Sequence, residues 1–508
     1  MPVGQQVTRR SLLRAAALGA VGVVTGAAAG CTSEVGSPRP APSPASSSRP
    51  GEPPDWAALR KKLRGGLVLP ADNGYAAAAR VYNPLFDGRR PAAIARCERP
   101  EDVQACVEAA AAARFPIAAR SGGHSYAGNS NQDDALIVDL GPMSAVNPRG
   151  PHAEIGAGAR LIDVYAGLSV EGRCVPAGSC PSVGIAGLTL GGGIGVLSRK
   201  FGLTCDHLES AEVVKADGSL VTASSESEPD LFWALRGGGG GNFGIVTSFT
   251  FTTVVAPSEL TVFSLQFPAG SAVDVVEEWQ RWIATQNDEM WSNCVVSAGS
   301  PPTVRVGGCY VGTPEVCQRR LNTLLGRAPA PTSELVTPKS YLDTMRHFAG
   351  CQERSVEQCR PAAQGGTMDR ESFVASSRIL AKPLSDPTAL VSLLDGRSDL
   401  DLLLDSLGGQ VSFIRPEQTA FPHRGALASV QIYANASSGR QSATRQVHEV
   451  LEDMGKVTGQ LGYVNYIDPN MPNWDTAYYG GNIARLQDVA ARYDPDGVFA
   501  FDQGIKPR

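Results

Sequence analysis

Five consecutive glycines, Gly237 to Gly241, stand between "PDLFWALR", which reads as a helix, and "IVTSFTFTTVV", which reads as a strand. Within this region Gly239 to Gly244 ("GGGNFG") formally match the G-x-G-x-x-G dinucleotide fingerprint. That fingerprint needs a strand, then the glycines, then a helix. Here the order is reversed, which excludes a Rossmann domain. The glycines then either form a tight packed loop or lay backbone N–H groups against a phosphate or a ring.

The rest of the chain fills in an α+β plan. "RPEDVQACVEAAAAARFP" predicts a helix, with Pro100 in its first turn, Glu101 and Asp102 near its positive end and Pro116 beyond its stop. "PIAARSGG", "ALIVDL" and "HAEIGAG" predict short strands, and "AEVVKADGSLVTAS" a hairpin about an Asp-Gly turn. Residues from about 70 to 255 thus predict two α+β lobes packed around a cleft. From about Leu260 the texture changes to strand ("LTVFSLQFP"), helix ("AVDVVEEWQRWIATQ"), hairpin ("NCVVSAGSPPTVRVGGCYVG") and helix ("TPEVCQRRLNTLLG"). That order predicts an antiparallel sheet covered by helices on one face. The helix "NIARLQDVAARY" and "DPDGVFAFDQGI" close the chain.

The N-terminus reads as an address rather than as fold. Paired Arg9 and Arg10 precede an uncharged run from Ala15 to Gly30 that ends at Cys31. This resembles a twin-arginine export signal (1–31) joined to a lipoprotein cleavage box, with Cys31 the candidate lipid anchor. The run is short for the ~20 residues of a membrane span. Residues 32–55, rich in Pro and Ser, follow as a disordered linker.

Eleven cysteines in an exported chain suggest disulfides, with Cys97/Cys106, Cys309/Cys317 and Cys351/Cys359 as spaced pairs. "CQERSVEQC" reads better as a local disulfide than as a metal loop. No CxxC occurs and the chain holds six histidines, so no metal site is expected. A net charge of −5 without a long basic run argues against a nucleic-acid partner.

One histidine stands out. His124 follows Gly122 and Gly123 in "RSGGHSYAGNS". It is open to four readings: metal ligand, acid/base, packed side chain or attachment point. Cys180, on the glycine-rich turn "PAGSCPSVG", is by itself a buried thiol or half of a disulfide. His423, in "FPHRG", reads as a structural histidine tying a sheet to its neighbour.

Taken in order, "RSGGHSYAGNS", "CPSVGIAGLTLGGGIGVLSRKFGLTCDHL", "LRGGGGGNFGIVTSFTF" and "NYIDP…FAFDQGI" resemble the berberine bridge enzyme-like flavin oxidases of the vanillyl-alcohol oxidase superfamily. The resemblance runs from about Ala71 to the C-terminus. It implies a two-lobed PCMH-type FAD-binding domain (56–257) and a substrate domain of antiparallel sheet covered by helices (258–455). A C-terminal segment (456–508) then returns to the FAD domain.

The same resemblance implies FAD held by two covalent bonds, His124 to the flavin 8α-methyl and Cys180 to C6. Arg120, Ser121, Gly122, Gly123 and Ser125 would surround the pyrophosphate. Gly184 and Gly187, with Gly192, Gly193 and Gly195, would run along the flavin. Gly244 and Ile245 would lie toward the adenine, and Tyr479 and Asn482 near the pyrimidine edge. Tyr466, in "YVNYID", is the candidate base, with Tyr463 and Tyr126 as helpers and Gln431 reaching from the substrate sheet.

Three departures from plant members bear on substrate. Ser429 replaces a lysine, Ile194 replaces a tyrosine, and "ASVQIYANAS" has no acid, which weakens an alkaloid-cyclising role. Val183 matches a position where valine goes with oxygen access. The implied activity is oxidation of a CH–OH group of a sugar, oligosaccharide or related alcohol by an exported enzyme, with O2 as acceptor and hydrogen peroxide as product. Alternatives are a tailoring oxidase of a secondary metabolite, an inactive flavoprotein module, and a zinc hydrolase using His124.

Overall fold

In the computed structural model, described for residues 51–362, 365–437 and 439–508, four sheets account for the strands. The export signal at 1–31, Cys31 and residues 32–50 of the linker lie outside the described residues. Among the described residues no helix is long and apolar enough to cross a membrane.

The first lobe is a four-stranded sheet in the order Leu67–Val68, Ala93–Arg96, Leu136–Asp139, Ile117–Arg120. Its last three strands run parallel, and the helix Pro100–Ala113 makes the crossover such a pairing needs. Pro100 sits at the start of that helix, and Val103, Cys106, Val107 and Ala110 form its buried stripe. The second lobe is a five-stranded antiparallel sheet in the order Val146–Arg149, His152–Gly156, Ile245–Thr252, Leu208–Val214, Leu220–Ser224. The helix Pro229–Ala234 precedes the glycine run and the strand Ile245–Thr252 follows it, so the reversed order read from the sequence is the order in space.

The third unit is a seven-stranded antiparallel sheet in the order Ser333–Lys339, Leu260–Gln266, Thr303–Val311, Met290–Ser297, Leu400–Ser406, Ala428–Asn435, Phe373–Leu380. Alternation separates its faces. Val304, Val306, Val296, Leu402, Leu404 and Ile432 join the main core, within which the helices Ala272–Ala284 and Arg440–Thr458 also bury their apolar residues. The opposite face carries the row Val295, Leu403, Gln431, Ser377, each opposite the next across the strands. Tyr433, two residues after Gln431, shares that face. Val295, Phe373, Ala375, Leu403 and Tyr433 pack there with Tyr82 and Tyr126 from the first lobe.

The C-terminal segment returns to the first two units and is tied in by buried polar groups. Buried Arg378 donates through Nε and Nη2 to the Leu451 carbonyl (3.2 and 3.0 Å) and through Nη1 to the Gln460 carbonyl (3.1 Å). A buried guanidinium is stable only when its donors are met in this way. At the other end the Ile505 N–H donates to Asn242 Oδ1 (2.9 Å), pinning the last residues to the glycine run. Arg424 and Asp206, both nearly buried, form a two-pronged pair at 2.8 and 2.7 Å that holds the loop before the strand Ala428–Asn435 against the second lobe.

Among the described residues one disulfide forms, Cys351–Cys359, at the place the spacing suggested. The other two spaced pairs stay reduced, so the expectation of several disulfides is not met. Cys309 and Cys317 are separately buried thiols, and burial pushes Cys317 up to about 12. Cys97 instead shares a thiol hydrogen bond with Cys106.

Candidate active site

The loops carrying His124 and Cys180 meet at two glycines. A Cβ on Gly122 would lie 2.2 Å from the Gly184 nitrogen, and one on Gly184 would lie 2.3 Å from the Gly122 nitrogen. Side chains at these positions would drive the loops apart, so the glycines are required for close backbone approach rather than for turn geometry. The second loop is fixed from behind: Leu161 N–H donates to the Val183 carbonyl (3.0 Å) and Ile162 N–H to the Pro181 carbonyl (3.1 Å). Arg160 Nη1 donates to the Ser182 carbonyl (3.3 Å).

This contact brings His124 and Cys180, 56 residues apart in the chain, to the wall of one cavity of about 270 Å³. His124 Nε2 and the Ser182 hydroxyl are 2.9 Å apart, and Cys180 Sγ lies 3.8 Å from the same oxygen. The Tyr82 ring stacks on His124 with centroids 3.9 Å apart and planes at 18°.

Tyr126 and Tyr466 also line the cavity, their rings stacked with centroids 5.3 Å apart and planes at 9°. Gln431 does not reach the wall itself. Its Nε2 donates to Tyr126 Oη at 2.6 Å, so it acts on the cavity through Tyr126. Phe373 and Tyr433 extend the aromatic wall, with Phe373 edge-on to Tyr126 (4.9 Å) and stacked on Tyr433 (5.0 Å).

Tyr463 lies behind this wall and not on it. Its hydroxyl accepts from the Gly193 N–H (3.0 Å) and from Asn465 Nδ2 (2.8 Å), while complete burial pushes its pKa well above the ordinary tyrosine value. It therefore stays a neutral phenol, in edge contact with Tyr466 at 5.0 Å.

The remaining residues singled out in the sequence divide into two groups. Ser121, Gly122, Gly123, Ser125, Gly184, Gly187, Gly244, Ile245 and Tyr479 line the cavity, as does Val183. Arg120, Gly192, Gly193, Gly195 and Asn482 do not. Arg120 is buried in an ion pair with Asp139 (3.0 Å). Gly192 and Gly193 adopt positive φ of 119° and 87°, and a Cβ on Gly193 would strike the Thr204 hydroxyl at 2.2 Å. A Cβ on Gly195 would strike the Ala177 carbonyl oxygen at 1.8 Å. These glycines serve chain packing. Asn482 Nδ2 donates to the carbonyls of Pro416 (2.8 Å) and Thr419 (3.2 Å), which holds a loop and not a ligand.

Sequence reasoning missed several wall residues: Tyr82, Asn242, Phe373, Tyr433 and Asn465. Tyr433 carried a signal, since period two places it on the Gln431 face. Tyr82 carries no local signal.

FAD fits what is present. A Cβ on Gly187 would meet no atom within 4 Å, and one on Gly240 would meet only Leu190 and Gly187 at 3.8 and 3.9 Å. Both glycines line the cavity, so their missing side chains leave a narrow bare-backbone slot. The N–H groups of the glycine loops, the Ser121 and Ser125 hydroxyls, and the apolar side chains of Val183, Leu188, Leu190 and Phe501 supply the polar-and-flat mixture a dinucleotide with an aromatic ring requires. No group of three or more His, Cys, Asp or Glu able to hold a metal ion occurs among the described residues.

His423 has the structural place its motif suggested. It is buried, its Nε2 lies 3.1 Å from the Tyr478 carbonyl oxygen, and burial lowers its pKa to about 4.

The comparisons with known proteins agree with this cavity. Residues 91–224 match the FAD binding domain family, and residues 462–506 match the berberine and berberine-like family. An FAD-linked oxidoreductase of Bacillus subtilis is 33% identical over 461 residues, covering 88% of this chain and 98% of that one. A carbohydrate oxidase of Microdochium nivale is 31% identical, covering 82% of this chain and 88% of its own. The solved structure of a berberine bridge enzyme-like protein from Physcomitrella patens superposes with a TM-score of 0.82 at 28% identity, covering 89% of this chain and 99% of that one.

Two α+β lobes and a helix-backed antiparallel sheet closing on a glycine-walled cavity define an FAD-binding oxidoreductase. Within that class, the chain belongs to the berberine bridge enzyme-like family of FAD-linked oxidoreductases.

Proposed function

We propose that this protein is an oxidase of sugar or oligosaccharide CH–OH groups, carrying FAD on His124 through the flavin 8α-methyl and on Cys180 through C6. The observation that carries the reading is the meeting of His124 and Cys180 on the wall of one cavity that Tyr466 also lines. The carbohydrate oxidase relative supports the substrate class, as does the aromatic wall of Tyr126, Phe373, Tyr433 and Tyr466. Flat aromatic faces suit the C–H faces of pyranose rings, and hydroxyls at their rims suit sugar hydroxyls. Bound FAD supplies the hydride acceptor and passes the electrons to dioxygen, giving hydrogen peroxide.

The chain's own residues supply proton removal and alignment. Tyr466 takes the proton from the substrate hydroxyl. Tyr126 holds the facing ring in place, its own hydroxyl fixed by Gln431 Nε2–H. Tyr463, kept neutral by burial, supports Tyr466 from the side and moves no proton. The backbone around Ser121 to Ser125 and Gly239 to Gly241 holds the cofactor, and Val183 leaves its side of the cavity to a small oxidant. The twin-arginine motif at Arg9 and Arg10 and the cysteine at Cys31 belong to the same reading, which assigns export and a lipid tether.

Purified protein is expected to be yellow, to keep its colour through acid precipitation, and to yield flavin-bearing peptides containing His124 and Cys180. A screen of mono- and oligosaccharides for peroxide release should find a substrate. Colourless protein, or flavin lost wholly to the acid supernatant, would sink the proposal.

A further inference from the structure

Two side chains proposed to attach one cofactor share a third that neither the motif nor the family resemblance singles out. Ser182 Oγ stands 2.9 Å from His124 Nε2 and 3.8 Å from Cys180 Sγ. Ser182 is 3% exposed, and its main chain is held by Arg160 Nη1 (3.3 Å). The neighbouring backbone is clamped at Pro181 and Val183 by the Ile162 and Leu161 N–H groups (3.1 and 3.0 Å). Tyr82, stacked on His124 at 3.9 Å, blocks the ring from swinging away from Ser182. The loop that carries the hydroxyl and the ring of one of its partners are therefore both held.

We propose that Ser182 is the positioning residue for both covalent attachments, orienting the His124 ring and relaying the proton that each attaching side chain must lose, from Nε2 of His124 and from Sγ of Cys180. The proposal rests on the two-bond reading above. At His124, a C–H bond of the flavin 8α-methyl and an N–H bond of imidazole break, and a C–N bond forms. At Cys180, a C–H bond at flavin C6 and the S–H bond break, and a C–S bond forms. Each reaction leaves two electrons and two protons on the flavin, and dioxygen takes them up as hydrogen peroxide, so each attachment consumes one O2. The leaving proton needs an acceptor in contact with the attacking group. The Ser182 hydroxyl, which both donates and accepts, lies 2.9 Å from Nε2 and 3.8 Å from Sγ. With Nε2 directed at Ser182, the geometry points to Nδ1 as the atom that bonds the cofactor.

The test compares Ser182→Ala, Ser182→Thr and Ser182→Val in the full chain, expressed in parallel with the unsubstituted protein. Thr and Val share one shape and differ in the hydroxyl, and a small cavity of about 30 Å³ beside Ser182 leaves room for the added methyl. Flavin per chain is read by absorbance, and the share on His124 and on Cys180 by peptide mass before and after acid precipitation. The expected result is wild-type total flavin in all four proteins, with the doubly attached share lowered at least fivefold in Ser182→Ala and Ser182→Val and restored in Ser182→Thr.

Equal doubly attached shares in Ser182→Val and Ser182→Thr would overturn the role of Ser182 while leaving the two-bond reading intact. Absence of flavin peptides from the unsubstituted protein would overturn both. If Ser182→Ala does not fold, the Thr/Val pair decides alone, with matched circular dichroism as the control.

Discussion

The rings of Tyr126 and Tyr466 lie almost parallel, 9° apart with centroids at 5.3 Å, although 340 residues separate them in the chain. One comes from the loop between the strands Ile117–Arg120 and Leu136–Asp139 and the other from a short 3-10 turn, Val464–Tyr466, in the C-terminal segment. Both rings line the cavity, and the Gln431 amide donates to the Tyr126 hydroxyl.

Tyr466→Phe keeps the stack and removes the hydroxyl. Turnover should fall by roughly 10²- to 10⁴-fold, the usual share of a general base. Flavin content and the visible spectrum should stay as in the unsubstituted protein. Stopped-flow flavin reduction under substrate measures the loss, and full-rate reduction would remove Tyr466 from the mechanism.

Gln431 acts one step back. Gln431→Leu and Tyr126→Phe each remove the same 2.6 Å hydrogen bond, so the pair should be non-additive, with a coupling of about 1 kcal/mol in thermal unfolding. A double-mutant cycle measures this, and strict additivity would show that the bond carries no energy.

Gly122 and Gly187 separate packing from cofactor binding. Gly122→Ala puts a Cβ 2.2 Å from the Gly184 nitrogen and should destabilise the fold by about 1–3 kcal/mol, as overpacking does. Gly187→Ala meets no atom within 4 Å and should leave the stability of flavin-free protein unchanged while lowering flavin content at least threefold. Melting curves with flavin-to-protein ratios distinguish the two.

His423 ties stability to pH. Its folded pKa is about 4 because burial penalises the charged ring, whereas the unfolded chain has the ordinary 6.5. Between these values the unfolded state binds the extra proton. The contribution is fully present above pH 6.5 and is lost progressively as pH falls toward 4, to a total of about 3 kcal/mol. His423→Gln should flatten this part of the stability curve, read as unfolding midpoints at pH 7, 5.5 and 4.5.

The Cys351–Cys359 disulfide closes a short loop, with a sequence separation of 8. Replacing both cysteines by serine should cost about 2.5 kcal/mol through loop entropy. Cys180 lies outside this bond, so the flavin attachment proposed at Cys180 should be unaffected. Peptide mass on the double variant checks that, and loss of flavin from Cys180 would tie the two loops together.

The elements of this fold were legible where periodicity is strong. The helix Pro100–Ala113, the hairpin about Asp217–Gly218 and the hairpin Met290–Val311 stand where their capping residues and alternation placed them. Which glycines face the cavity was harder to read. Gly184 and Gly193 look alike in sequence, but one touches the His124 loop and the other touches Thr204, and only tertiary contacts tell them apart. Asn482 misled for the same reason, because its carbonyl partners lie more than 60 residues upstream. Ser182 escaped notice because its importance lies in what stands on either side of its hydroxyl.

The cavity wall runs from Tyr82 to Gln503, and the Ile505 N–H fastens to Asn242, itself on that wall. Synthesis delivers His124 and Cys180 early and Tyr466, Phe499 and Phe501 last. A chain released before Phe499 is made therefore holds His124 and Cys180 without the part of the wall that Phe499, Phe501 and Gln503 supply. Flavin content thus reports on the C-terminal segment: removing Phe499 to Gln503 should cost colour even with His124 and Cys180 intact.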